Sequence, residues 1–262
     1  MNSTPSPDSA CYVYGIVPAD APAPQDVVGV GDPSAPVVPV RYGGLAALVS
    51  EIDARRPLGT PRDLIGHARV LDTVAAGRTP VLPFRFGAVV RDEAAVTDEL
   101  LAPQEQRFLA ALEGLHGLAQ FTARGTYRQD RVLREIVRDR PDIARLREEV
   151  ADLPEAAAQP RRIRLGELVA EALTARARSD TDHLVAELGP LAEATARAEP
   201  TAEQPVTVSF LVDADRWTGF ERAADVLAAD WDGRVDFRLL GPLAPYDFAP
   251  QLVDAQGRGS WD

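Results

Sequence analysis

The stretch Val206-Thr207-Val208-Ser209-Phe210-Leu211-Val212 is apolar and β-branched, and it is followed by Trp217, Phe220, Ala224, Leu227 and Trp231 at spacings of 3, 4, 3 and 4. Gly233-Arg234-Val235-Asp236-Phe237-Arg238-Leu239-Leu240 then returns to extended character. Side chains repeat every second residue on a strand and every 3.6 residues on a helix, so these periods dictate strand, amphipathic helix, strand. That unit is one half of a ferredoxin-like arrangement; working backwards, the other half is less sharp. Leu118 to Tyr127 reads as a strand weakened by Gly125, and Arg131 to Arg140 as a helix. Pro141 suits the first turn of a helix carrying Ile143, Leu146, Val150 and Leu153. Pro154 to Pro160 reads as a linker, and Arg161 to Glu199 as a long Ala/Arg/Glu-rich helical stretch broken at Gly189-Pro190.

Further upstream the pattern is strands, helix, strand, helices. Cys11 to Val17 is rich in aromatic and β-branched residues and stops at Pro18. A Pro-rich loop spans residues 18–36, and two strands follow, Val37 to Tyr42 and Leu45 to Val49, around the Gly43-Gly44 turn. Leu64, Ala68, Leu71 and Ala75 mark an amphipathic helix from Pro61 that Gly77 ends. Val81 to Gly87 is extended again; Asp92 to Leu101 and Gln104 to Leu115 are helical on either side of Pro103. The expected fold class is therefore α+β in two domains: a disordered tail over 1–10, an N-terminal α+β domain over 11–117, a C-terminal ferredoxin-like domain with a helical insertion over 118–249, and a tail over 250–262.

Composition narrows the function classes. At 262 residues the prior is one large or two modest domains. The net charge of −12 repels phosphate backbones and anionic headgroups, so neither nucleic acid nor a membrane surface is an expected partner. No apolar run approaches the roughly 18 residues needed to span a bilayer. The N-terminus lacks the basic start and apolar stretch of a signal peptide. Cys11 is the single cysteine, which excludes an intramolecular disulfide or a cysteine-based zinc site and suits a reducing cytoplasm. With no lysine in the chain, a lysine-dependent phosphate loop is excluded too.

No catalytic constellation emerges. His67 shares an apolar helix face with Leu64 and Leu71, which reads first as a core or interface histidine and second as a catalytic or ligand one. Ser50, His67 and Asp72 assemble a triad on paper, but no GxSxG elbow precedes the serine. Asp213-Ala214-Asp215 reads as a helix cap before it reads as a metal site. The lone Gly29-Val30-Gly31 has no strand–helix context for a dinucleotide. No metal and no cofactor is expected. Two segments carry more pattern than loops require. Val81 to Gly87 sets Arg85 between Phe84 and Phe86, with Pro83 tolerable at an edge. Gly241 to Phe248 is stiff and extended, and either locks onto the protein's own sheet or offers an edge to another chain.

At these residues the chain resembles a known family, the gas vesicle accessory proteins GvpL/GvpF. The resemblance rests on Tyr12 to Val17, Gly44 to Glu51, His67, Thr79 to Gly87, Ser209 to Val212 and Leu240 to Phe248, and so runs from residue 12 to 248. It implies a ferredoxin-like C-terminal domain and a non-enzymatic role in the cytoplasm at gas vesicles. It also implies, as partners, the major hydrophobic shell protein and other gas vesicle accessory proteins. The family contributes no catalytic residues. The short end Ala249 to Asp262 and the Pro-rich 18–36 loop depart from its pattern. The expected partner-binding residues are Leu82, Phe84, Arg85 and Phe86. A regulatory small-molecule binder is the alternative, with a hydrolase using His67 behind it.

Overall fold

The computed structural model describes residues 9–31 and 36–249, apart from the side chain of Ala156. Residues 1–8 and 250–262, read above as tails, lie outside the described residues. The elements in order are β1 (Ser9–Pro18), β2 (Val38–Tyr42), β3 (Leu45–Asp53), α1 (Pro61–Ala76), β4 (Leu82–Pro83), β5 (Val89–Val90) and α2 (Glu93–Ala95). The chain then winds through a π turn (Val96–Leu101) and a 3₁₀ turn (Ala102–Gln104) into α3 (Glu105–Glu113). β6 (Leu118–Tyr127), α4 (Gln129–Asp139), α5 (Pro141–Ala151), α6 (Glu155–Leu188), β7 (Ala194–Arg197), β8 (Val206–Asp213), α7 (Trp217–Asp230) and β9 (Val235–Leu243) complete the series. It is a mixed α/β fold with two antiparallel sheets.

Two compact units result. One takes the residues up to Phe121 together with Leu211–Asp215 and the residues from Gly241 onward; the other takes Thr122–Phe210 and Arg216–Leu240. In the first unit a sheet runs in the order β2-β3-β1-β4, with β5 also on β1. β1 is central because nearly all of it is apolar and buried on both faces. Ser9 and Ala10 pair with Asp53 and Ile52, so β1 starts two residues inside the stretch read as a tail. Pro83, which has no N–H to donate, pairs with Gly15 on a two-residue edge strand. Tyr12, Tyr14, Leu48, Val70, Leu71 and Val74 form the core, and Ala244 joins them from near the far end of the chain. Gly241 to Phe248 therefore locks onto its own unit: Ala244 N–H donates to Asp72 at 3.0 Å, and Phe248 is buried.

The second sheet has the order β7-β8-β6-β9. Two sequence readings are corrected here. Pro154 to Pro160 is not a linker: Pro154 caps α6, which runs on through Pro160. Glu155-Ala156-Ala157-Ala158 is strongly helix-forming, and Ala157 and Ala158 N–H both reach Pro154 O at 3.0 Å. At the other end α6 stops at Leu188 and Gly189-Pro190 turns the chain, so Ala194–Arg197 is a strand, not helix. In the second unit α6 is tied to the strands by Asp180, whose Oδ2 accepts from Tyr127 OH and from Arg234 Nη1, both at 2.6 Å. Arg176 lies 3.6 Å from the same oxygen and also bonds Glu135 at 3.1 Å. Burial first, then Asp180, pushes the Tyr127 phenol far above its usual range.

Candidate functional site

α1 is where the sequence concentrates its chemistry, and its start is firmly fixed. Thr60 Oγ1 accepts from Asp63 N–H while Asp63 accepts from Thr60 N–H, both at 3.2 Å, with Pro61 at the first helical position. Arg56 bonds the Asp63 carboxylate at 2.9 Å. Burial alone would push that carboxyl up, but the hydrogen bonds from Thr60 and Arg56 outweigh it and hold Asp63 below its ordinary value.

One turn on, His67 enters the core at 4% exposure. Its Nδ1 accepts from Tyr12 OH at 2.8 Å and its Nε2–H donates to Phe84 O at 3.1 Å. A carbonyl only accepts, so this bond fixes the tautomer. Gly87 N–H donates to Tyr12 OH at 3.2 Å. Burial pulls the imidazole below its usual pKa against the opposing pull of the Phe84 carbonyl, and His67 is neutral. The same burial pushes Tyr12 up to about 12 and raises Tyr14. Around the imidazole, Tyr14 stacks at 5.8 Å, Phe86 meets it edge-on at 5.7 Å and Tyr246 tilts against it at 6.2 Å.

A second chain of bonds lies beside it. Val30 N–H donates to Tyr14 OH at 2.7 Å, Tyr14 OH to Ser50 Oγ at 3.0 Å, and Ser50 Oγ to Pro36 O at 3.1 Å. The Pro-rich loop is drawn in so closely that Cβ atoms fit at neither Gly29 nor Gly66. At Gly29 one would sit 2.2 Å from Tyr14 OH, and at Gly66 one would sit 2.7 Å from Gly29 O. Gly29 therefore serves close packing.

The paper triad is not brought together. Ser50 is spent on Tyr14 and Pro36, His67 on Tyr12 and Phe84, and Asp72 on Ala244 N–H. Asp213 Oδ1 accepts from Asp215 N–H at 2.8 Å, which caps the 3₁₀ turn Ala214–Arg216 and not α7, whose N-cap Arg216 makes no side-chain bond, and Asp215 pairs with Arg78. Among the described residues no group of three or more His, Cys, Asp or Glu side chains converges for a metal. Cys11 is buried, and burial pushes its thiol up to about 11.

The structure places the four expected partner-binding residues as follows. Leu82 is 2% exposed and belongs to the core. Phe84 and Phe86 are half-buried, Phe84 against Phe108 at 6.3 Å and Phe86 against Tyr12 and His67. Arg85 between them is exposed and has no hydrogen-bond or ion-pair partner among the described residues. Sequence reasoning missed Tyr12, Tyr14 and Tyr246 as partners of His67. The signal for the first two was their i, i+2 spacing, which puts both rings on one face of β1.

The profile described as gas vesicle synthesis protein GvpL/GvpF matches residues 10–250. The chain belongs to that family. A gas vesicle protein F from a Streptomyces species is 33% identical over 247 residues, covering 90% of this chain and 98% of that one. The crystal structure of GvpF from an Anabaena species superposes with a TM-score of 0.75 at 26% identity, covering 92% of this chain and 98% of that chain. GvpF from Microcystis aeruginosa shares the fold, with a TM-score of 0.73 at 23% identity over the same shares. Membership in the GvpL/GvpF family carries a role in gas vesicle assembly. No helix of the described residues is long and apolar enough to cross a membrane.

Proposed function

We propose that this protein is a non-catalytic assembly factor that works in the cytoplasm at forming gas vesicles and binds the major hydrophobic shell protein through Phe84-Arg85-Phe86, seated on Leu82. The observation that carries the reading is the unpartnered Arg85, held out between two half-buried rings by a backbone that cannot drift. His67 fixes Phe84 O and Tyr12 OH fixes Gly87 N–H, so the segment is preorganised for a partner. The neutral, doubly bonded His67 supports a structural role over a catalytic one. A ferredoxin-like domain, expected over 118–249, is supported by the element order β6, helices, β7, β8, α7, β9 and the sheet order β7-β8-β6-β9, while the residues from Gly241 onward belong to the first compact unit. The α+β domain over 11–117 then carries the docking segment. Other gas vesicle accessory proteins are partners at further surfaces.

Co-purification with the shell protein tests this. Arg85→Glu, and Arg85→Ala with Phe86→Ala, are expected to abolish retention; undiminished retention by both overturns the reading. A second reading, small-molecule binding, is favoured by a cavity of about 260 Å³ between α4 and α6, lined by Val132, Ile136, Ala172, Glu135 and Arg176. A thermal-shift screen with metabolites tests it, a shift lost in Ala172→Trp being the supporting result.

A further inference from the structure

Among the described residues, α1 buries one face and leaves the other exposed. His67, Val70, Leu71 and Val74 point inward, whereas Arg62, Ile65 and Arg69, at i, i+3 and i+7, share the exposed side. Ile65, between the two arginines on the helix surface, is 59% exposed, and Leu64, 48% exposed, borders that face from the side of His67 and Leu71. Val28, 39% exposed, lies in the loop whose carbonyls crowd Gly66. Arg56 pairs with Asp63, Arg78 with Asp215 and Arg91 with Glu99, but Arg62 and Arg69 have no partner among the described residues.

A cationic, apolar face on a chain of net charge −12 has a specific complement. Nucleic acid is repelled by the rest of the molecule and gains nothing from Leu64 and Ile65, and an anionic bilayer, which could bury them, is repelled by the same net charge of −12. An acidic amphipathic protein segment fits both halves of the pattern. Arg62 and Arg69 are two turns apart, roughly 10 Å along the axis, the spacing of two carboxylates at i and i+7 on another helix. We propose that the outward face of α1 docks an acidic amphipathic segment of a partner protein, with carboxylates on Arg62 and Arg69 and apolar side chains on Leu64 and Ile65. This surface does not depend on the Phe84–Phe86 reading.

The test is site-specific photo-crosslinking in cells that are making gas vesicles, with p-benzoylphenylalanine in place of Ile65 and, in a separate strain, of Phe86. The expected result at position 65 is a predominant adduct on one other vesicle protein, mapped by mass spectrometry to a segment with apolar residues and carboxylates at helical spacing. Arg62→Glu with Arg69→Glu is expected to cut the yield about tenfold, and Arg62→Lys with Arg69→Lys to keep most of it. All four side-chain changes are at exposed positions, so an unchanged unfolding midpoint confirms that folding is intact. An adduct at position 86 with none at 65 overturns this proposal alone; adducts at 65 with none at 86 leave it standing without the Phe84–Phe86 reading. An adduct to lipid or to a second copy of this chain, or a yield indifferent to charge reversal, overturns it as well.

Discussion

Two buried polar clusters, one in each unit, tie a helix to a strand with opposite chemistry. Around His67 every group is neutral, and hydrogen bonds among Tyr12, His67, Phe84 and Gly87 hold α1 to β1. Around Asp180 the tie is ionic, with Tyr127, Arg234 and Arg176 converging on one carboxylate oxygen. A neutral network is insensitive to salt but gains charge on the acid side of the ordinary histidine range, because burial holds the His67 imidazole low, whereas an ionic one fails when a partner is removed and leaves a buried charge unpaired.

Removing the ionic anchor is the largest expected effect. Asp180→Ala leaves Arg234, with its side chain 16% exposed, without its main counter-charge, and is expected to lower unfolding free energy by about 3–5 kcal/mol. A loss under about 1 kcal/mol in chemical denaturation would show that water already screens the cluster. On the neutral side, Tyr12→Phe strands His67 Nδ1 and Gly87 N–H and is expected to lose about 1–3 kcal/mol. Gly66→Ala is expected to lose a similar amount, about 1–3 kcal/mol, because the new methyl meets Gly29 O; a neutral result would mean that the loop backs away freely.

The pH response separates the two clusters more finely. The folded pKa of His67 lies below its ordinary 6.5, so the unfolded chain binds the proton more readily. Stability is thus full above pH 6.5 and declines as pH falls below it. Asp72, whose carboxyl is raised by burial above 3.8, acts in the opposite sense on the acid side. The difference between wild type and His67→Gln therefore isolates the histidine. Thermal midpoints measured from pH 7.5 to 5 are expected to fall more steeply in wild type, and parallel curves would refute a buried neutral imidazole. The smallest effect belongs to the surface pair Arg164–Glu167, 60% and 59% exposed, where Arg164→Ala is expected to change stability by under about 0.5 kcal/mol.

What the sequence revealed depended on whether a residue's neighbours were local. β6 has the bounds read for it, Leu118–Tyr127, because apolar patterning and the flanking turn are both local signals. The alternation of Phe84, Arg85 and Phe86 likewise emerges as half-buried, exposed, half-buried. β7 was invisible because Ala194-Thr195-Ala196-Arg197 has no strand character of its own and becomes extended by pairing with β8. The two-residue strands β4 and β5 are set by β1. His67 was legible as a core histidine, but Tyr12 is 55 residues away in sequence, and nothing local names it as the partner.

The packing of Ala244 and Tyr246 into the first unit bears on how the chain is made. Asp72 receives its backbone partner from a residue 172 positions downstream, and the histidine cluster receives its last ring from Tyr246. At a translation rate of 5–20 residues per second, roughly 6–25 seconds separate Phe121 from Ala249, and for that interval the unit that began first is missing part of its core. The second unit is encoded almost entirely inside that interval. The half of the molecule carrying Arg85 and the outward face of α1 therefore becomes complete last, so its proposed docking surfaces mature only after Ala244 and Tyr246 have been synthesised.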